Sequence, residues 1–124
     1  MALRILIVED DADQARSLMT LLQGCGHDAR VAHDGRAALE LAAAAMPQVV
    51  LLDLRLPGLD GHEVAKRMRG LNHPTRPVLI AITGYDEEFD RLRPSEEGVD
   101  LCLRKPTDPE ALVRLLDRLA GGLL

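Results

Sequence analysis

Val49-Val50-Leu51-Leu52-Asp53-Leu54-Arg55-Leu56-Pro57-Gly58-Leu59-Asp60-Gly61 is the stretch on which the fold turns. Its first four residues are branched and apolar with no polar alternation, the pattern of a strand buried on both faces, and the run ends on an acid. Such a strand needs cover on both sides, so the flanking chain must supply helices to two layers.

Working outward, Leu3 to Val8 and Val78 to Ile82 repeat this pattern, which predicts three central strands. Asp28 to Ala32 and Val99 to Leu103 alternate instead, with Ala29 and Val31, or Val99, Leu101 and Leu103, on one side, which predicts half-exposed edge strands. Between them lie helical repeats. Ala15, Leu18, Met19 and Leu22 recur at helical spacing before Gly24 and Gly26, predicting a helix over 12–24. Gly35 to Ala45, Gly61 to Arg69 and Glu110 to Ala120 repeat the theme, with Pro47, Gly70 and Gly121 as terminators. The last has two possible starts, a Thr107/Glu110 capping box or Asp108 followed by Pro109 in the first turn. Asp86 to Glu97 predicts a short, bent or mobile helix, since Pro94 interrupts it and Phe89 and Leu92 are its few apolar anchors. Alternating strands and helices predict a doubly wound α/β fold. Five parallel strands in the order 2-1-3-4-5, with five helices, satisfy every burial pattern.

With 124 residues, 47% of them hydrophobic, the chain matches one domain. A net charge of −5 argues against a broad nucleic-acid-binding surface. Cys25 and Cys102 are too few for a disulfide framework or a four-ligand zinc site. The first residues lack a signal-peptide cleavage pattern, and no apolar run is long enough to enter a membrane, so the expected location is cytoplasmic.

In an open sheet of this kind, ligands bind beyond the carboxyl ends of the strands. Strand one ends in Glu9-Asp10-Asp11, strand three in Asp53, strand four in Thr83-Gly84 and strand five in Arg104-Lys105-Pro106. Carboxylates converging there repel one another unless a hard cation compensates, and an oxygen-only donor set points to magnesium, with manganese as the alternative. Lys105 and Thr83 are the groups that stabilise phosphoryl oxygens, and Asp53 is a plausible nucleophile that would form an acyl phosphate.

Val8-Glu9-Asp10-Asp11, Leu52 to Gly61, Ile82-Thr83-Gly84 and Arg104-Lys105-Pro106 together resemble the receiver domain of two-component response regulators, in order and spacing, over nearly the whole chain. The resemblance implies a flavodoxin-like fold and a single receiver domain over 1–124 without an output domain. It implies that Asp53 is the phosphoacceptor, that Glu9 and Asp10 are the acidic pair, and that Asp10, Asp53 and the backbone carbonyl of Arg55 ligate magnesium. Thr83 and Lys105 would contact the phosphoryl group, and the Lys105–Pro106 peptide would be cis. The implied donor is a sensor histidine kinase or a histidine phosphotransfer domain, and the implied output is a switched surface read by a downstream protein. Such a chain catalyses its own phosphorylation and dephosphorylation but is a signalling switch. Cys102 occupies the position, three residues before Lys105, where the family carries an aromatic switch residue, and Glu9 stands where many members have Asp.

Each residue has a plainer reading. Asp53 could be a solvated strand end, Lys105 a surface turn residue and Thr83 a strand terminus, while Gly84 would leave room above the phosphoacceptor. Taken together the constellation outweighs these. A magnesium-dependent phosphohydrolase would need an acid–base group two residues after Asp53, where Arg55 stands. A degenerate receiver that only binds partners is disfavoured by the complete set Glu9, Asp10, Asp53, Thr83 and Lys105. Both cysteines read as inert and partly buried, and His27, His33, His62 and His73 as solvated or capping. Arg55 and Tyr85 are expected to shield the site from water and slow dephosphorylation, with Tyr85 also on the partner face. Residues 86–100 carry seven acids and two arginines, an acidic strip suited to a basic partner.

Overall fold

The computed structural model describes residues 2–56, 58, 60–71, 76–84 and 98–123. Its five parallel strands are β1 (Arg4–Val8), β2 (Asp28–Ala32), β3 (Val49–Asp53), β4 (Val78–Thr83) and β5 (Leu101–Arg104), ordered β2-β1-β3-β4-β5. The helices are α1 (Ala12–Gly24), α2 (Gly35–Ala45), α3 (Gly61–Arg69) and α4 (Pro109–Arg118), the last running into a π-helical turn, Leu119–Leu123. The expected helix over 86–97 lies outside the described residues.

Alternate side chains of the central strands sort into two cores. Leu6, Val8, Val50, Leu52, Leu79 and Ala81 pack with Ala38 and Ala42 of α2 and Val64, Ala65 and Met68 of α3. Ile5, Ile7, Val49, Leu51, Ile80 and Ile82 pack with Leu22 of α1 and Leu112 and Leu116 of α4. Each fully buried aliphatic side chain contributes about 1.5–3 kcal/mol, so this two-sided burial is what holds β3 at the centre. Asp53 continues the Val49–Leu51 row, so the acid leaves the sheet on the α1 side.

Local chemistry sets the helix starts. Asp11, Asp34 and Asp60 each accept a hydrogen bond from the third residue onward, capping α1, α2 and α3. For α4, Asp108 accepts from the Glu110 amide at 3.0 Å with Pro109 in the first turn, so the aspartate–proline start prevails over the Thr107 box. Ends are less regular. Before Pro47, which disfavours a right-handed helical residue ahead of it, Met46 turns left-handed at φ 49°. Gly121 does not stop the last helix, because the chain winds on through it as a π turn.

Strand β5 departs from expectation. It begins at Leu101 rather than Val99, and Leu101 is exposed while Val99 is buried against the α2/α3 core. Asp100 breaks the alternation: its amide donates to the Leu79 carbonyl and its carboxylate accepts from the Leu79 amide and from Arg69. Arg69 also donates to the carbonyls of Gly98 and Pro77, a guanidinium clasp that ties the end of α3 to both β4 and β5. Burial lowers the Arg69 pKa, with Asp100 opposing that shift.

Two side-chain expectations are corrected. His27 is buried, not solvated; its Nδ1 accepts from the Leu3 amide at 3.0 Å, which pins the start of β1. Its Nε2 is buried without a hydrogen-bond partner among the described residues. Cys25 is exposed rather than partly buried.

Candidate phosphoacceptor site

The carboxyl ends of β1, β3 and β5 lie at the same edge of the sheet and deliver the acids and the lysine. Glu9 follows β1, Asp53 ends β3, and Lys105 follows β5, with its amide donating to the Thr83 carbonyl at the end of β4. Glu9 and Asp53 are buried, at 5% and 7% exposure, while Asp10 is exposed at the rim. Carboxylate oxygens of Glu9, Asp10 and Asp53 all lie within 4.8 Å of one another. That is an all-oxygen donor set with a solvent-facing side, which fits a hard divalent cation that keeps part of its water shell.

Lys105 is the counter-charge. Its Nζ donates to Glu9 Oε1 at 3.0 Å and to Asp53 Oδ2 at 3.0 Å. A third hydrogen bond, at 3.3 Å, goes to Gln14 Oε1 on the first turn of α1. The other Asp53 oxygen, Oδ1, accepts from the Arg55 amide at 2.9 Å, which fixes the plane of the carboxylate. Glu9 Oε2 accepts from the Asp11 amide at 3.3 Å, and the Glu9 carbonyl lies 3.1 Å from His33 Nδ1, which therefore donates to it.

Electrostatics follow from this crowding. Burial, reinforced by the neighbouring Asp53, raises the Glu9 pKa to about 7, against the pull of Lys105. For Lys105, burial acts to lower the pKa, but the hydrogen bonds to Asp53 and Glu9 outweigh it and the pKa is raised. The lysine therefore stays an ammonium at neutral pH.

Gly61 holds the geometry. A Cβ there would sit 2.5 Å from Leu54 Cα and 2.8 Å from the Asp53 carbonyl oxygen, so only glycine lets α3 approach the exit of β3. At Gly84, expected to leave room above Asp53, an added Cβ would meet the stem of Lys105, 3.5 Å from Lys105 Cβ, an ordinary contact distance.

Of the other expected site residues, Thr83 is fully buried at the end of β4 and Arg55 is exposed just beyond Asp53. Cys102 is half-buried against the α2/α3 core, and burial raises its thiol pKa, which fits the inert reading. The Lys105–Pro106 peptide is cis. Tyr85 and most of the acidic strip, as well as His73, lie outside the described residues. Gln14 and His33 were missed by sequence reasoning. Neither belongs to a motif, and only their contacts with Lys105 and Glu9 mark them.

A cleft of about 690 Å³ opens from the acids between α1 and the loop leading to α4, lined by Leu18, Leu21, Leu51, Ile82, Pro106 and Pro109 among others. Glu9, Asp53 and Lys105 line its inner end.

The response regulator receiver domain model matches residues 5–117. Response regulator MprA of Mycobacterium tuberculosis is 37% identical over 123 residues, 99% of this chain and 51% of its own length, so the chain spans about half the length of that relative. Protein PilH of Pseudomonas aeruginosa is 30% identical over 96% of this chain and 98% of its own. Among solved structures, a CheY-like receiver domain from Methylobacillus flagellatus superposes with a TM-score of 0.85 at 28% identity, covering 96% of this chain and 99% of the other. The receiver domain of the sensor histidine kinase PA1611 from Pseudomonas aeruginosa, solved with magnesium coordinated in its active-site cleft, superposes at 0.86 with 29% identity, covering 98% and 100%. Strand order, acidic pocket and sequence agree, and the chain belongs to the response regulator receiver domain family of two-component systems, whose members work as phosphorylation switches.

Proposed function

We propose that Asp53 accepts a phosphoryl group from a phosphohistidine on a sensor histidine kinase or histidine phosphotransfer domain, and that the 124 residues act as one receiver unit. The observation that carries this is the Lys105 ammonium, 3.0 Å from carboxylate oxygens of both Glu9 and Asp53 in a buried pocket. A carboxylate oxygen of Asp53 attacks phosphorus as the P–N bond breaks. The electron pair stays on the imidazole nitrogen, which takes up a proton from water, and the product is an acyl phosphate. Lys105 is placed to pair with a phosphoryl oxygen, and Thr83 carries a hydroxyl at the end of β4. The Arg55 amide keeps the Asp53 carboxylate from rotating.

Glu9, Asp10 and Asp53, with the Arg55 carbonyl, are the residues we assign to Mg2+, with Mn2+ as the alternative, and their donor chemistry fits it. When bound, the ion supplies positive charge against the transferring phosphoryl oxygens. The chain then serves as a switch rather than a turnover enzyme, since exposed Arg55 offers no acid–base group beside Asp53. Its readout is a downstream protein, not nucleic acid, in keeping with its net charge of −5. Among the described residues no helix is long and apolar enough to cross a membrane, and we assign the chain to the cytoplasm.

Intact mass after incubation with acetyl phosphate and magnesium tests the reading. One added phosphoryl group is expected on the wild type and none on Asp53→Asn or in EDTA. An adduct that survives in Asp53→Asn would overturn the assignment.

A further inference from the structure

The Lys105 ammonium has three hydrogens and three acceptors: Glu9 Oε1, Asp53 Oδ2 and Gln14 Oε1. Two are buried carboxylates on the sheet. The third is a neutral amide on an exposed residue of α1 that lines the same cleft. From this geometry we propose that Gln14 is a positioning residue for Lys105, giving its ammonium a third partner that keeps it in the pocket when Asp53 Oδ2 is released to an incoming phosphoryl group. The proposal rests on Asp53 being the phosphoacceptor.

Position and chemistry both suit the task. The Gln14 amide is clamped by the capping Asp11 Oδ1 at 2.9 Å, so the start of α1 sets where the side chain begins. A carboxylate at this place would make a fourth acid around a site that already holds Glu9, Asp10 and Asp53. A carboxamide accepts the hydrogen bond without adding charge. An ammonium gains more from a carboxylate, which carries a full opposite charge, than from a carboxamide, so Lys105 without Gln14 settles on Asp53 and Glu9. There it occupies Asp53 Oδ2 and Glu9 Oε1. With Gln14 in place the ammonium is shared three ways and one acid contact is more easily given up to a phosphoryl oxygen.

The test is a double-mutant cycle on the full chain, read as the rate constant of phosphoryl uptake from acetyl phosphate with magnesium. Gln14→Met keeps the length and removes the acceptor. It is expected to slow uptake by about two- to tenfold, part of what one ammonium–amide hydrogen bond contributes, while the thermal midpoint shifts only slightly at this exposed position. In a Lys105→Met background the same substitution is expected to change the rate less than twofold. Gln14→Glu keeps the acceptor but adds charge, and is expected to be slower than wild type. An unchanged rate in Gln14→Met, or an equal loss with and without Lys105, would overturn the proposal. A wild type that takes up no phosphoryl group would instead remove the underlying reading of Asp53, and the two failures are distinguishable before any Gln14 variant is made.

Discussion

Glu9 keeps its proton to about pH 7 because burial and the neighbouring Asp53 penalise its charged form. In the unfolded chain the same carboxyl ionises near 4.5. Between these values the native state binds more protons than the unfolded one, so this group's contribution to stability is fully present below pH 4.5 and is lost as pH rises to about 7. Glu9→Gln, which mimics the protonated form, is therefore expected to be more stable than wild type at pH 8 in EDTA, on the order of 1–3 kcal/mol. The gap should close at pH 4, and urea melts at the two pH values check it. At this scale the placement of the candidate residues was legible: Asp53 and Thr83 end their strands, and Glu9, Asp10 and Lys105 stand just beyond theirs, in the expected order. Gln14 and His33 were not legible, because an amide on a helix and an imidazole after an edge strand acquire meaning only from their contacts with Lys105 and Glu9.

Between elements, the contact that matters most for the site is the start of α3 against the end of β3. A methyl on Gly61 would meet backbone atoms of Leu54 and Asp53 at 2.5 to 2.9 Å, and backbone cannot swing aside as a side chain can. Gly61→Ala is expected to cost about 1–3 kcal/mol by overpacking, measured by denaturant unfolding, and to slow phosphoryl uptake by displacing Asp53. The central strands were readable since burial on both faces leaves an unbroken aliphatic run, as in Val49 to Leu52. Strand β5 was read two residues early because Val99, Leu101 and Leu103 mimic alternation. What overrides the pattern is non-local: Asp100 bonds to Leu79 and Arg69, which turns Val99 into the α2/α3 core and leaves Leu101 exposed.

For the molecule as a whole, an ion held by Glu9, Asp10 and Asp53 binds the native state and adds to its stability by mass action. Magnesium at a hundred times its dissociation constant is expected to stabilise the chain by about 2.7 kcal/mol, reversed by EDTA and weakened in Asp53→Asn. Thermal melts with and without the ion check this, and an equal shift in Asp53→Asn would place the ion elsewhere. The sequence by itself determined the α/β class, the strand order and the chemistry waiting at the strand ends. Those properties follow from local periodicity, from which strands lack a polar face, and from residue type, all of which are written along the chain. Only the tertiary structure decided that Lys105 is shared among Glu9, Asp53 and Gln14, that His27 is buried under β1, and that a Cβ added at Gly84 would meet a lysine stem. Those outcomes depend on distances between segments as far apart as residues 14 and 105, and no local pattern encodes a distance across the fold.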